Sequence, residues 1–250
     1  MNNNLFTSTL LKSFDILDCF ASDRQEIGIK EIANQIDMPQ SSVYRIVQTL
    51  EFTGALFQNK ETKKYRLGPK FISLGSKRGY LDDCRRIVIK NMEALGRETG
   101  ETVNLGILNC DRVTYIHRVD CPHVLRPNFE LNASYPAHTT GLGQVLLADL
   151  SDTGLQWVYQ NNAKDFGMSY EAFLSQMHQI RRDGFAFDDQ VFCSGLRCVA
   201  APVTGLGGRA IFSVSVSAPV MRMGDDVYQT TQKLVVKYAL AASDEILSMD

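Results

Sequence analysis

Residues 37–50, DMPQSSVYRIVQTL, decide how the N-terminal part of this chain is read. Val43, Ile46, Val47 and Leu50 fall at i, i+3, i+4 and i+7, the spacing of one apolar stripe on an α-helix. Pro39 suits the first helical turn, where its missing N–H costs nothing. The opposite side carries Gln40, Ser41, Ser42, Tyr44, Arg45, Gln48 and Thr49. Such a face meets either water alone or a partner, and the flanking sequence has to decide.

Upstream, Leu10, Phe14, Leu17 and Ala21 predict an amphipathic helix over 8–21, and Ile29, Ile32, Ala33 and Ile36 predict a second, short one. Asp37 and Pro39 break the chain between that helix and the next, which makes a helix-turn-helix. Downstream, Gly54 can end the third helix in a left-handed conformation. The stretch ALFQNKETKKYRLG then alternates, with Ala55, Phe57, Tyr65 and Leu67 on the apolar side of a hairpin whose turn is NKET. Three helices and a hairpin with a lysine-rich tip form a winged helix.

Charge points the same way. The net charge of −2 hides an asymmetry, because residues 40–80 hold eight basic side chains (Arg45, Lys60, Lys63, Lys64, Arg66, Lys70, Lys77, Arg78) and two acidic ones. A basic patch beside an exposed polar helix face is the electrostatic footprint of a nucleic-acid binder. In such an arrangement the start of the third helix enters the major groove. Gln40, Ser42, Tyr44 and Arg45 are then the base-reading candidates, Arg45 forking onto a guanine and Gln40 pairing with an adenine. Ser41 and Thr49 fall to phosphates, Gln48 shares the face, and Lys60, Lys63 and Lys64 flank the groove.

The remaining chain reads as mixed α/β. PKFISLGSKRGYLDDC to Gly100 holds two helical stretches jointed near Gly79, the second striped by Val88, Met92 and Leu95. Beyond it, TVNLGIL and VTYIHRV predict paired strands, followed by a strand near 124–131. HTTGLGQVLLADL reads as a glycine-containing loop entering a helix. Helices near 152–160 and 169–182, strands at FAFD, RCVAAPV and RAIFSVSVSA, and a long helix over 224–248 complete an α+β layout. The expected organisation is a DNA-binding domain over 1–68, a helical linker over 69–81 and a GAF-like effector domain over 82–250.

At 44% apolar and 22% charged, the composition is that of a soluble globular protein. The first residues lack the features of a secretory signal, and the six scattered cysteines suit reduced thiols in a cytoplasm. No membrane partner and no cofactor are expected.

Four stretches, GIKEIANQIDMPQSSVYRIVQTLEFTGAL, KKYRLGPKFISLG, PAHTTGLGQVLLA and GFAFDDQVFCSGLRCVAAPV with FSVSVSAP, occur in the order and spacing of one family. Over nearly its full length the chain resembles the IclR family of bacterial transcriptional regulators. The resemblance implies an N-terminal winged helix, a C-terminal GAF-like effector domain, and a homodimer or homotetramer acting as a repressor on a pseudo-palindromic operator. It also implies a small-acid pocket, matched here by Gly141, Leu142, Asp188, Cys198, Ser215 and Ser217. The chemistry is coherent: a loop of N–H groups at a helix N-terminus welcomes a carboxylate, and Ser215 and Ser217 share a strand face. Asp188 can accept from a ligand hydroxyl. Two departures, Gln144 in place of a common lysine and Gln190, Val191 and Phe192 in place of acidic residues, imply a less polar or larger ligand, sugar-derived or aromatic.

Two rival classes use other residues. Thiol chemistry, as a redox sensor or enzyme, would use Cys193 and Cys198 near Asp188, but no histidine neighbours them in sequence. A metal site would draw on Cys110, His117, Cys121 and His123, whose spacing matches no zinc pattern. Neither catalytic nor metal residues are expected.

Overall fold

The structure, a computed structural model, describes residues 7–20, 26–75, 79–162 and 166–249. It divides into two compact units after Tyr80. Ala21, Lys77 and Arg78, which entered the reading above, lie outside the described residues.

The first unit runs α1 (Ser8–Asp18), α2 (Ile29–Gln35), α3 (Gln40–Phe52), β1 (Leu56–Gln58), β2 (Tyr65–Leu67) and α4 (Pro69–Gly75). Its core gathers Ile16, Ile27, Ile32, Val43, Val47, Leu56 and Tyr65. Asp37 turns the chain with φ 49°, and Pro39 sits at the cap, one residue before the helix. The α2 entrance is tied by Glu31, whose Oε2 accepts from the Gly28 amide at 2.8 Å.

Two expectations for side-chain facing are corrected here. On α1 the Leu10/Phe14 stripe is the exposed side, at 59% and 54%, while Ile16 is the fully buried anchor. The 3.6-residue period finds an apolar face without saying which apolar face meets the core. In the hairpin, Leu56 pairs with Leu67 and Phe57 with Arg66. Leu56 therefore faces inward beside Tyr65, and Phe57 stands outside with the Arg66 guanidinium 5.0 Å from its ring centre. A three-residue strand is too short for alternation to fix its phase.

The second unit is built on one antiparallel sheet in the order β5-β4-β3-β8-β7-β6. Its strands are β3 (Thr102–Asn109), β4 (Arg112–Val119), β5 (Ser134–Pro136), β6 (Ala186–Asp189), β7 (Leu196–Thr204) and β8 (Ala210–Pro219). The strand expected near 124–131 is absent; that segment is loop, and the fifth strand of the chain comes later, at Ser134. Arg118 anchors the loop by donating to Asn128 Oδ1 at 2.8 Å and to the Phe129 carbonyl at 2.6 Å. These side-chain bonds replace a ladder.

Helices cover both sheet faces. On one side lie α5 (Tyr80–Thr99), whose Gly96 approaches Val103 and Val119, and α9 (Asp225–Leu247), which packs on β7. On the other lie α6 (Gly141–Ala148), α7 (Asp152–Asn161) and α8 (Tyr170–Asp183), with a 3₁₀ turn at Ala137–Thr139. Leu142, Leu146, Leu147, Leu155, Phe173 and Met177 form the core of this second layer. α6 is buried along its whole length, which explains why its sequence carries no polar stripe.

Candidate functional site

In the first unit, α3 presents Gln40, Ser41, Tyr44, Arg45 and Thr49 to solvent, with Ser42 half-buried. The Thr49 hydroxyl donates back to the Arg45 carbonyl at 3.0 Å. A groove of about 300 Å³ between α1 and α3 places Lys12 beside Ser42, Arg45 and Thr49. Lys12 is an exposed cation that the helix pattern of α1 did not single out.

Gln48 is turned inward. Its Nε2 donates to the Tyr65 hydroxyl and to Glu51 Oε2, both at 3.1 Å, so it ties α3 to the wing. Burial pushes the Tyr65 phenol up, keeping it neutral. Lys60 and Lys63 are exposed at the hairpin, whereas Lys64 pairs with Glu31 of α2 at 3.2 Å. Glu26 fixes the wing tip by accepting from Asn59 Nδ2 and Thr62 Oγ1, both at 2.8 Å. Those two bonds hold its carboxyl below the usual range.

In the second unit, the sheet register assembles the other candidates. Asp188 pairs with Cys198, Cys198 with Ser217 and Ser217 with Thr102. One row along, Ala186, Ala200, Ser215 and Asn104 pair in turn. Directly paired residues of an antiparallel sheet share a face, so these rows form one floor. α6 lies over it: a Cβ on Gly141 would stand 3.5 Å from Ala200 Cβ and 3.9 Å from those of Asp188 and Cys198.

The glycine stretch is not a loop but the first turn of α6. Thr140 is the cap, its Oγ1 accepting from the Gly143 amide at 3.1 Å. A helix start leaves its first amides without intrahelical acceptors, which here are those of Gly141 and Leu142. The Leu142 side chain itself is core, lying against Gly106. Gln144 is also buried and donates to the His138 carbonyl at 3.0 Å.

Asp188 is 2% exposed and accepts from the Val191 amide at 2.8 Å and the Phe192 amide at 3.4 Å. Burial raises its carboxyl despite those bonds. A raised folded-state value means that stability falls as pH climbs from the ordinary carboxylate range through it. Asp188→Asn keeps an acceptor for both amides. It is expected to raise the melting temperature at pH 7, with the gain fading as pH falls through the raised folded-state value and gone below the ordinary carboxylate range near about 4. A loss of stability at neutral pH with none in acid would contradict this.

Burial pushes the Cys198 thiol up to about 12, so it is a neutral thiol and a poor nucleophile. Above the floor, Tyr115, Phe129, Tyr135 and Phe192 make ring contacts at 4.7–6.2 Å between centres. Burial, then the nearby Cys198, Tyr135 and Asp188, raises the Tyr115 phenol, which bonds to Thr140. A cavity of about 420 Å³ opens beside these rings, lined also by Arg126 and the 193–196 segment. Three further polar atoms on the floor, Thr102 Oγ1, Asn104 Oδ1 and Ser213 Oγ, are buried without a hydrogen-bond partner among the described residues. Each would cost roughly 1–3 kcal/mol if nothing met it.

Sequence reasoning missed Tyr115, Thr140 and Asn104. The T-G step at 140–141 is a cap signal, and Asn104 stands out as a polar residue within an apolar strand. Among the described residues no group of three or more metal-type side chains gathers, and Cys110 is exposed while Cys121 is buried. No helix of the described residues is long and apolar enough to cross a membrane.

A winged helix with an exposed polar face on its third helix, in one chain with an α/β domain whose sheet carries a buried polar floor, is the make-up of a ligand-responsive transcriptional regulator. The chain belongs to the IclR family: residues 9–60 match the model of the IclR helix-turn-helix domain, and 82–244 match the bacterial transcriptional regulator IclR C-terminal domain. It is 35% identical over 227 residues to the HTH-type transcriptional regulator KdgR of Escherichia coli, covering 89% of this chain and 86% of the relative. It is 26% identical over 239 residues to the E. coli transcriptional repressor IclR, covering 92% and 87%. A putative IclR regulator from Silicibacter shares the fold with a TM-score of 0.74 at 23% identity, over 96% of both chains. An IclR homolog from Microbacterium hydrocarbonoxydans, solved with 4-hydroxybenzoate, gives 0.63 at 18% identity over 96% of this chain and 99% of that one.

Proposed function

We propose that this protein is a cytoplasmic homodimeric repressor that reads a pseudo-palindromic operator through Gln40, Ser42, Tyr44 and Arg45. The carrying observation is the α3 face itself, with Tyr44 and Arg45 exposed above a closed core of Val43, Ile46 and Val47. Ser41 and Thr49 contact phosphates, and Lys12 joins them from α1. Support for a dimer comes from Leu10, Phe14, Phe71, Ile72 and Leu74, large apolar side chains exposed on α1 and α4. A two-fold protein implies two half-sites. A tetramer would add pairing through the effector domain.

The effector is a small organic acid, sugar acid or aromatic compound held by the Gly141 and Leu142 amides, Asp188, Cys198, Ser215 and Ser217. Selection of binding sites from random duplexes, followed by titration with and without candidate acids, tests the reading. A symmetric consensus whose affinity changes with an acid supports it; sequence-indifferent binding contradicts it.

The wing lysines have separable roles. Replacing Lys60 and Lys63 with alanine is expected to weaken binding to all duplexes alike and to flatten the salt dependence by up to about 0.9 per lost phosphate contact. Lys64→Ala acts through the lost Glu31 pair, and its loss of affinity carries no comparable change in salt slope. Anisotropy titrations across a salt series separate the two, and a steep slope change for Lys64→Ala would reverse the assignment.

A further inference from the structure

We propose that Arg222 is the positioning residue that couples the mouth of the effector cavity to the end of α5, so that effector and operator sense one another through it. The proposal rests on the reading of the chain as an effector-responsive DNA binder. Three segments meet at the Arg222 guanidinium. Nε and Nη2 fork onto Glu101, donating to Oε1 at 2.5 Å and to Oε2 at 2.8 Å, while Nη1 donates to the Leu125 carbonyl at 3.1 Å. Glu101 is 8% exposed and lies two residues beyond α5, past the turn at Gly100 with φ 68°. Leu125 opens the stretch 125–129 that lines one wall of the cavity.

The opposite wall leans on the turn that carries Arg222. Val220 donates its amide to the Gly195 carbonyl at 2.9 Å, and Gly195 and Pro219 both line the cavity. The backbone of Arg222 is itself fixed, its amide donating to the Pro219 carbonyl at 2.9 Å. Arg118 also fastens the 120–131 loop, but its partners, Asp120, Asn128 and the Phe129 carbonyl, all lie within that loop. Arg222 ties the loop to a second segment, the one that follows α5.

The chemistry of the fork makes it a link rather than a brace. A guanidinium is rigid and planar, with its donors in fixed directions. If the Leu125 carbonyl moves and carries Nη1 with it, the plane turns, and Nε and Nη2 turn on the Glu101 oxygens. Glu101 is too buried to exchange that partner for water, so it follows the guanidinium. A molecule seated against Phe129 presses on the wall to which Leu125 belongs. α5 is 20 residues of unbroken helix, about 30 Å long, and its first residue, Tyr80, is where the first unit ends. A shift at Glu101 is thus delivered along one rigid element to the chain that enters the first unit.

Coupling between two sites is reciprocal, so the link is read from the DNA end. Hydrogen exchange is followed on the full-length protein alone, with the duplex obtained by site selection, and with a scrambled duplex. The selected duplex is expected to change exchange over residues 120–131 by about fivefold or more, the lower end of ordinary coupling factors, and the scrambled duplex far less. Arg222→Lys keeps a charge for Glu101 but cannot hold both Glu101 oxygens and the Leu125 carbonyl in one plane. Glu101→Leu combined with Arg222→Met replaces the pair by apolar side chains, an exchange that buried ion pairs tolerate. Both variants are expected to bind the selected duplex, which no longer alters exchange at 120–131. A brace alone predicts faster exchange in the loop with and without DNA, and the wild-type fold-change on adding the duplex; that result overturns the proposal. A wild-type loop indifferent to the duplex overturns it too, while operator reading stands. If site selection yields no symmetric consensus, both readings fall.

Discussion

Gly143→Ala is expected to lower the melting temperature of the effector unit by about 8–16 °C, the response of a domain of this size to a loss of about 4 kcal/mol. A Cβ at this position would stand 2.2 Å from the Ala137 carbonyl oxygen and 2.4 Å from its Cα. Both are backbone atoms of a 3₁₀ turn whose Ala137 is fully buried, so no side chain can swing away. Helix propensity alone would favour alanine by about 1 kcal/mol, the opposite sign. Steric contact wins because it is several times larger. Gly141→Ala, two residues away, meets Ala200, Asp188 and Cys198 only at ordinary contact distances of 3.5–3.9 Å. That variant should melt within about 2 °C of wild type while losing effector binding, because its methyl fills the space above Asp188 and Cys198. Circular dichroism melts compare the two. Near-equal melting of Gly143→Ala and wild type would mean that the 3₁₀ turn and α6 are not so closely packed.

The same pair shows what the sequence discloses and what it withholds. The helix-turn-helix was legible because α3 is long, periodic and bounded by Pro39 and Gly54, signals that act within one helix. Apart from the strand placed near 124–131, the effector domain's strands and helices were legible as elements, and Asp188, Cys198, Ser215 and Ser217 share one sheet face with Gly141 of α6 lying over it. That sharing is a product of sheet register between strands far apart in the chain, and it was available only through resemblance to a family. Thr102 and Asn104 were missed for the same reason, since nothing within TVNLGIL says that Ser217 and Ser215 lie beside them. The helix at Gly141 was read as a loop because glycines usually punctuate; here they let α6 sit against backbone and floor. Gln48 entered the DNA-facing group through the periodic face of α3, and Lys64 through the lysine-rich hairpin, and neither pattern says what else in the unit the side chain meets. Whether Tyr65 or Glu31 waits there is a tertiary fact. Phe57 and Leu10 failed likewise, being apolar side chains that the first unit leaves exposed.

Arg45→Ala is expected to cost about 2–6 kcal/mol at a symmetric operator, roughly a thirty-fold to more than ten-thousand-fold loss of affinity. A good bidentate contact to a base carries about 1–3 kcal/mol of discrimination, and a two-fold complex loses it twice. Arg45 is the one cation of the α3 face; it is exposed, and it lines the groove with Lys12, Ser42 and Thr49. No ion pair to an acidic neighbour among the described residues holds it back, in contrast to Lys64. The loss should be specific: affinity for unrelated duplexes falls far less than affinity for the operator, and preference at the contacted base pair relaxes. Gln48→Ala makes the informative comparison. Its bonds to Tyr65 and Glu51 lie within the unit, so it should lower stability by about 1 kcal/mol and weaken operator binding without relaxing the preference at any one position. Site selection and anisotropy on both variants read the difference. If Arg45→Ala keeps the wild-type consensus and Gln48→Ala changes it, the reading group on α3 lies one turn further along the helix than proposed.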